Sequence, residues 1–401
     1  MNAFEKHLDE HLAEIRQNDL YRKIRRIDSA QGTEIQIEGR IVLNFSSNDY
    51  LGLANHAALK AAAIQAVEKY GAGAGASRLI CGSLRPHDEL EEALAEFKGT
   101  EAALTFATGY AAAMGAICSL VGKDDVIIID KLVHACIVDA AKLSGAKLRV
   151  FAHNDPNDLE NILQWNASKS RITDHASRTL IVTESIFSMD GDHAPLREIV
   201  ELKDRYGAWL MVDEAHATGL YAPNRRGLAE ELGVSDQIEI QMGTLGKAMG
   251  ASGGYICGSR KLIDYLVNRA RTFIFSTAPV PAAAAAATAG IQLVTSNEGE
   301  ARRSILWQHV SELKLKLKIQ TSKCPAAIIP LLVGEEAKAM EVAAAFLKKN
   351  IFIPAVRYPS VARGKARLRL TLSAAHTPDQ IECLASVLQP LVADFKDAVR
   401  L

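Results

Sequence analysis

The sequence predicts an α/β fold in which a large domain with a mostly parallel seven-stranded sheet is preceded by a helical arm and followed by a smaller α/β domain. Three observations lead there. From Thr100 onward, seven short apolar runs recur at residues 102–106, 126–129, 148–151, 180–182, 209–212, 238–242 and 255–257, separated by segments of helical period. That alternation is the signature of βαβ units, and strands buried on both faces read as continuous apolar runs. After an alanine-rich helical stretch near 281–294 the rhythm changes, with strand-like 328–333, 351–353 and 366–371 around a helical 337–349. Ahead of the sheet, Phe4, Leu8, Leu12 and Ile15 stand at helical spacing, so residues 4–26 predict an amphipathic arm packed on something larger. Residues 33–42 alternate around Glu38-Gly39-Arg40, two short strands and a turn. The expected division is an arm at 1–45, a large domain at 46–289 and a small domain at 290–401, with 165–177 as an exposed loop.

With 401 residues the chain is long enough for both domains. Its 46 Lys and Arg against 47 Asp and Glu leave a formal net charge of -1, so no chain-wide positive field exists to hold a nucleic-acid backbone or an anionic membrane. Six cysteines include no C-x-x-C pair, which argues against a zinc site and a disulfide scaffold and for free thiols in a reducing compartment. The charged N-terminal residues lack the apolar core of a signal peptide, and no apolar run approaches the ~20 residues that span a bilayer. A cytoplasmic protein that binds neither nucleic acid nor membrane is expected.

The expected strands end in polar or small residues: Thr183-Glu184-Ser185, Asp213-Glu214-Ala215-His216 and Gly243-Thr244. In open α/β sheets the ligand crevice lies outside the carboxyl ends of the strands, so these residues converge on one cleft. Lys247 stands among small residues in 243–255 (GTLGKAMGASGGY), where a flat ligand can approach its amine. The segment lacks the glycine spacing and Lys-Ser/Thr pair of a phosphate loop, and taken alone the lysine reads as a surface residue in a flexible loop, a reading that its partners change. Asp213, at the mouth of a strand, can hold a pyridine nitrogen protonated, and a lysine amine with such a carboxylate is what a protein supplies to pyridoxal phosphate (PLP). Asp213 also reads as a helix cap or, with His216, as part of a metal pair, but no third ligand stands at recognisable spacing, and no metal is expected. Thr108-Gly109-Tyr110 opens a helix after a strand, so its N–H groups can bind a phosphate, with Thr244 on a second side. His134, at another strand exit, can cover a flat ring or serve as a structural histidine. Ser188 lies in 187–192 (FSMDGD), which reads as a tight turn rather than a calcium loop. The 71–75 segment (GAGAG) imitates a dinucleotide fingerprint, but a helix at 57–70 precedes it where a strand is needed.

Segments 44–53 (NFSSNDYLGL), 187–192, 213–219 (DEAHATG) and 244–254 together resemble the α-oxoamine synthase family of fold-type I PLP enzymes, over nearly the whole chain. Residues 151–155 (FAHND), 188–195, 356–361 (VRYPSV) and 366–376 (ARLRLTLSAAH) are similar to the members that use alanine and a pimeloyl thioester. The resemblance implies a PLP-dependent acyltransferase of biotin biosynthesis. In it, L-alanine condenses with a pimeloyl thioester, carried by CoA or an acyl carrier protein, with loss of CO2. Glycine with acetyl-CoA is the alternative pair. It also implies roles for single residues. Lys247 would carry the cofactor and act with Asp213, the ring-nitrogen partner, and His134, which would stack on the ring and touch substrate. His216 would bond the phenolic oxygen, and Gly109, Tyr110, Ser188 and Thr244 would complete the cofactor site. Ser276 and Thr277 would reach the phosphate of a neighbouring subunit, which implies a homodimer with shared active sites. Arg369 would hold the amino-acid carboxylate, while Arg22 and Ser360 would touch the acyl substrate. Arg16, Arg25 and Arg26 compete with Arg22 for that place.

Overall fold

A computed structural model describes residues 2–170, 177–317 and 325–394. The chain forms two compact units, one of Met1–Tyr50, Met189–Gly191 and Ser304–Leu401, the other of Leu51–Ser188 and Asp192–Arg303. The N-terminal segment, expected as a separate arm, thus shares a unit with the C-terminal residues, and the large unit ends at Arg303.

The helix that opens the chain spans Ala3–Gln17 and stops well short of Arg26. Asn2 caps it by accepting the Glu5 N–H at 2.9 Å. None of its residues is buried, and Phe4, Leu8 and Ile15 lie exposed, so the apolar stripe of the arm has no cover among the described residues. Strands β1 (Glu34–Ile37) and β2 (Arg40–Asn44) follow, paired antiparallel around Glu38 and Gly39. Both turn residues have positive φ, 51° and 77°, the backbone twist that suits a two-residue hairpin.

The larger unit holds the seven expected strands: β3 (Ala102–Phe106), β4 (Val126–Asp130), β5 (Lys147–Phe151), β6 (Thr179–Glu184), β7 (Trp209–Asp213), β8 (Ile240–Thr244) and β9 (Gly254–Gly258). Their order is β3-β9-β8-β7-β6-β4-β5, and β9 alone runs against its neighbours. Every residue of β3, β4 and β9 is buried, which explains why these strands read as unbroken apolar runs. After β5, at one edge, the chain returns to the far side of β4 and continues through β6, β7 and β8. The strand order therefore reverses between β4 and β6, and a crevice opens at such a point beyond the strand ends. Helices begin just past those ends, with Thr108 capping Gly109–Leu120 and His134 capping Ala135–Ser144. Of the predicted loop at 165–177, residues up to Ser170 belong instead to the helix Pro156–Ser170, and 171–176 lie outside the described residues. Tertiary contacts hold that last turn: Arg149 lies 5.0 Å above the Trp165 ring, and the Asn166 amide donates to the Thr179 hydroxyl at 2.9 Å.

The smaller unit contains β10 (Ile328–Gly334), β11 (Ile351–Phe352), β12 (Ala355–Val356) and β13 (Ala366–Thr371). Strand β13 lies between β10 and β12, antiparallel to both, and β11 joins the N-terminal hairpin parallel to β2. That pairing, with the bonds from His376 to the Asn44 oxygen and from Gln380 to Glu34, ties residues 34–44 to the C-terminal part of the chain.

One glycine sets how closely sheet and helix approach in the larger unit. A Cβ built on Gly254 would stand 2.5 Å from both the Gly109 Cα and the Thr108 oxygen, so the start of the Gly109–Leu120 helix would have to move. Gly254→Ala is expected to lower stability by about 1–3 kcal/mol, read as a shift of the urea unfolding midpoint; an unshifted midpoint would mean that this contact relaxes freely.

Candidate active site

The ends of β4, β6, β7 and β8 bring together most of the residues singled out in the larger unit. Asp213 closes β7, and the turn that follows carries His216; Lys247 stands three residues past the end of β8. The Lys247 Nζ and His216 Nε2 are 2.8 Å apart, a hydrogen bond between amine and imidazole. Asp213 is buried, and its Oδ1 accepts the Ala215 N–H at 2.9 Å. Across the β6–β7 ladder its partner in register is Glu184, also buried, whose Oε2 accepts the Ser188 N–H at 3.2 Å and whose Oε1 has no hydrogen-bond partner. Side chains of paired residues in a sheet share a face, so two carboxyl groups line one small space.

Their electrostatics follow from that confinement. Burial raises the Asp213 carboxyl above the usual carboxylate range, while Lys247, the Ala215 N–H and His134 oppose the rise. Burial pushes Glu184 up to about 8, and the neighbouring Asp213 charge adds to it. Two acids in one low-dielectric space share their ionisation, so a single negative charge facing the lysine is the favoured state. His134 is lowered by the atoms packed around it and by Lys247, against the pull of Asp213 and Asp139. Its Nδ1 accepts the Cys136 N–H at 3.2 Å, which fixes the ring at the start of its helix.

On a second side, the Thr108 hydroxyl accepts the Ala111 N–H at 3.0 Å, leaving Gly109 and Tyr110 to supply the first N–H groups of their helix. A Cβ on Gly109 would lie 3.7 Å from the Thr244 Cβ, so helix start and threonine are neighbours. Thr244 donates to the Gly253 oxygen at 2.9 Å and accepts the Gly246 N–H at 3.2 Å, which shapes the loop that carries Lys247. Tyr110 is half exposed and donates to Asp139 at 2.6 Å. Behind the site, Glu214 points the other way and forms a buried ion pair with Lys98 at 2.6 Å, while its Oε1 accepts the Ala229 N–H at 2.9 Å. Amine, buried acid, imidazole, and helix-end N–H groups with a hydroxyl form a donor set that suits a flat ligand bearing an aldehyde, a ring nitrogen and a phosphate.

Other predicted residues lie elsewhere. Ser276 and Thr277 are exposed, and Thr277 bridges to Ser77 just beyond the 71–75 segment. In the smaller unit, Arg369 on β13 is buried and donates to Asn48 Oδ1 at 2.9 Å, Thr371 Oγ1 at 3.1 Å and the Tyr50 hydroxyl at 3.3 Å. Arg22 donates to the Tyr358 oxygen at 2.7 Å, and the exposed Ser360 donates its N–H to the Arg357 oxygen at 3.0 Å, which puts both at one turn. The competing arginines have other partners: Arg16 lies over the Tyr21 ring, Arg25 over Phe352, and Arg26 pairs with Asp28. Sequence reasoning placed Glu184 at the cleft and Asn48 in a family segment without a part for either, and did not single out Asp139. Glu184 was detectable as the last residue of a buried run aligned with Asp213; Asn48 and Asp139 depend on tertiary contacts that no spacing announces.

Residues 40–388 match the family of class I and II aminotransferases. The chain is 46% identical over 374 residues to an 8-amino-7-oxononanoate synthase of Geobacter sulfurreducens, a match that covers 92% of this chain and 94% of the relative. It is 43% identical over 378 residues to the synthase of that name from Thermoanaerobacter pseudethanolicus, with 94% of each covered. Among solved structures, a serine palmitoyltransferase from S. paucimobilis with PLP and myriocin bound superposes with a TM-score of 0.90 at 28% identity, over 99% of this chain and 100% of that one. An 8-amino-7-oxononanoate synthase from Francisella tularensis gives 0.74 at 26% identity, over 89% and 98%.

The Glu184 proton has a measurable sign. The folded chain keeps a proton that the unfolded chain releases near the ordinary 4.5, so stability falls as pH rises from there toward about 8. In the cofactor-free chain, Glu184→Gln should flatten the drop in urea midpoint between about pH 5 and about pH 8. Equal drops in variant and wild type would mean that Glu184 is already ionised when folded.

Proposed function

Because the chain belongs to the family of class I and II aminotransferases, we propose that it catalyses the PLP-dependent decarboxylative condensation of L-alanine with a pimeloyl thioester. The products are 8-amino-7-oxononanoate, CO2 and the free thiol carrier, a step of biotin biosynthesis. Its architecture is that of the fold-type I PLP transferases. The observation that carries the reading is the Lys247–His216 hydrogen bond beside the buried Asp213, joined to relatives of that name at 43–46% identity over nearly the whole chain.

When bound, PLP supplies an electron sink for negative charge at the amino-acid Cα. Lys247 would hold the cofactor through its aldehyde carbon and, once alanine has taken its place, remove the alanine Cα proton with its Nζ. His216 orients that amine and would bond the phenolic oxygen. Asp213 would keep the ring nitrogen protonated; facing a cation, it is the acid that ionises while Glu184 retains its proton. His134 would cover the ring. Gly109, Tyr110, Ser188 and Thr244 would complete the cofactor contacts, with helix-end N–H groups meeting the phosphate. Arg369 would take the alanine carboxylate in a two-point hydrogen bond, and Asn48 and Tyr50 hold its guanidinium in place. Alanine Cα then bonds to the acyl carbon as the thiol leaves, the carboxylate departs as CO2, and a proton returns to Cα. Arg22 and Ser360, at one turn, would meet the acyl chain.

The same proposal includes a cytoplasmic location, a thioester carried by CoA or an acyl carrier protein, and a homodimer in which Ser276 and Thr277 reach the partner's cofactor phosphate. The exposure of Ser276, Thr277, Phe275 and the glycines of the 71–75 segment supports that last point. No helix among the described residues is long and apolar enough to cross a membrane.

The wild-type chain should be yellow with PLP, and borohydride should fix the cofactor on the peptide that contains Lys247; Lys247→Ala should lower turnover at least a hundredfold or so. Labelling of another peptide would remove the assignment. Arg369→Ala should raise the alanine KM by roughly 10–100-fold through the lost charge-assisted bonds; an unchanged KM would end that role. Assays that pair alanine or glycine with pimeloyl, acetyl and succinyl thioesters decide the substrates, and a preference for glycine and acetyl-CoA would replace the present reading.

A further inference from the structure

His153 lies just past the end of β5, in the 151–155 stretch to which the reaction above gives no part. Its Nδ1 is 2.9 Å from Asp130 Oδ1 and its Nε2 is 2.6 Å from Asp192 Oδ2. A neutral imidazole has one N–H and can donate to only one of these carboxylates; carboxylates at both ring nitrogens call for a proton on each. Although burial works against a charged ring, the bonds and charges of Asp130 and Asp192 carry its pKa to about 10. The Phe187 ring meets it edge to face at 4.4 Å.

Asn154 doubles every link. Its backbone N–H donates to Asp130 Oδ2 at 2.9 Å, and its side chain donates to Asp192 Oδ2 at 2.8 Å and to the His193 oxygen at 3.1 Å. It does so from a left-handed backbone, φ 55°, which asparagine tolerates better than most residues. Each aspartate also reaches toward the cofactor side, Asp130 by its carboxylate and Asp192 by its main chain. Asp130 Oδ1 accepts the Leu132 N–H at 2.7 Å, two residues before His134. The Asp192 main-chain oxygen accepts the Phe187 N–H at 3.0 Å, one residue before Ser188.

The geometry points to His153 as a positioning residue: a ring with a carboxylate at each nitrogen that clamps Asp130 to Asp192 and thereby fixes the two segments that present His134 and Ser188 to the cofactor. The inference rests on the cofactor reading above and names what holds two of its contacts in register. Asp130 and Asp192 are the charged groups that face the ring, and Phe187 fills its side.

Nitrogen-15 correlation spectra of histidine-labelled full-length protein at about pH 8, well above the ordinary imidazole value of ~6.5, should show both His153 ring nitrogens protonated. A single neutral tautomer there overturns the clamp. Asp192→Asn and His153→Gln should each weaken PLP binding by about tenfold, the size of one charge-assisted bond. The double variant should be no weaker than His153→Gln alone, because the two act as one unit. At saturating PLP the alanine KM should stay within about twofold, a split that general destabilisation would not produce. Undiminished PLP affinity in both single variants, with a wild type that binds and turns over, removes the positioning role alone. A wild type that does not bind PLP removes the functional reading itself, and the ring spectra remain decisive for the clamp.

Discussion

Two carboxyl groups aligned on neighbouring strands, Glu184 and Asp213, share a buried space in which only one of them ionises readily. Much of the site depends on that constraint. Lys247 is the facing amine, and its charge favours the single negative charge there. His216 tethers the amine, and Ser188 contributes its N–H to the acid that keeps a proton. A ligand that brings a ring cation toward Asp213 enters a pocket that has room for one such charge. The protonated neighbour then keeps the total from becoming doubly negative.

The backbone that presents these groups was largely legible from sequence because it is buried. The seven strands of the larger unit announce themselves as short apolar runs, and the helix start at Gly109 follows from Thr108 ahead of it, whereas the cap that His134 gives to Ala135–Ser144 appears only in the structure. What spacing could not reveal was where local preference yields to tertiary contact. Residues 165–170 look like loop but are helical because Arg149 and Thr179 hold them. The first helix ends at Gln17 although basic residues continue to Arg26, because Asn18 caps it and Asp19 takes a left-handed φ of 56°. Likewise, β11 is two residues long, and its pairing with β2, together with bonds such as those from Arg369 to Asn48 and Tyr50, makes the first fifty residues part of the C-terminal unit.

Site residues divide along the same line. Lys247, Asp213 and His216 were readable because strand ends in an open α/β sheet face one crevice, so position along the chain stands in for position in space. Arg369 was singled out by family likeness alone, and its support by Asn48 and Tyr50 joins residues more than three hundred positions apart. Glu184 occupied a strand end in plain view; without the register to Asp213 its charge state had no reason to differ from that of any surface glutamate.

Asp213 and Glu214 are adjacent in sequence and opposite in fate. One faces the crevice, while the other is locked to Lys98 behind the sheet, with side-chain exposures of 0% for the lysine and 1% for the glutamate. Strand neighbours point to opposite sides, so deleting one apolar residue of Trp209–Val212 would carry Glu214 into the place of Asp213 and Ala215 into the place of Glu214. Such a deletion leaves charge and composition almost untouched. It would put a glutamate where Asp213 faces the crevice and leave the buried Lys98 ammonium without its acid. The length of this strand is therefore as much a part of the chemistry as the identity of its last residue.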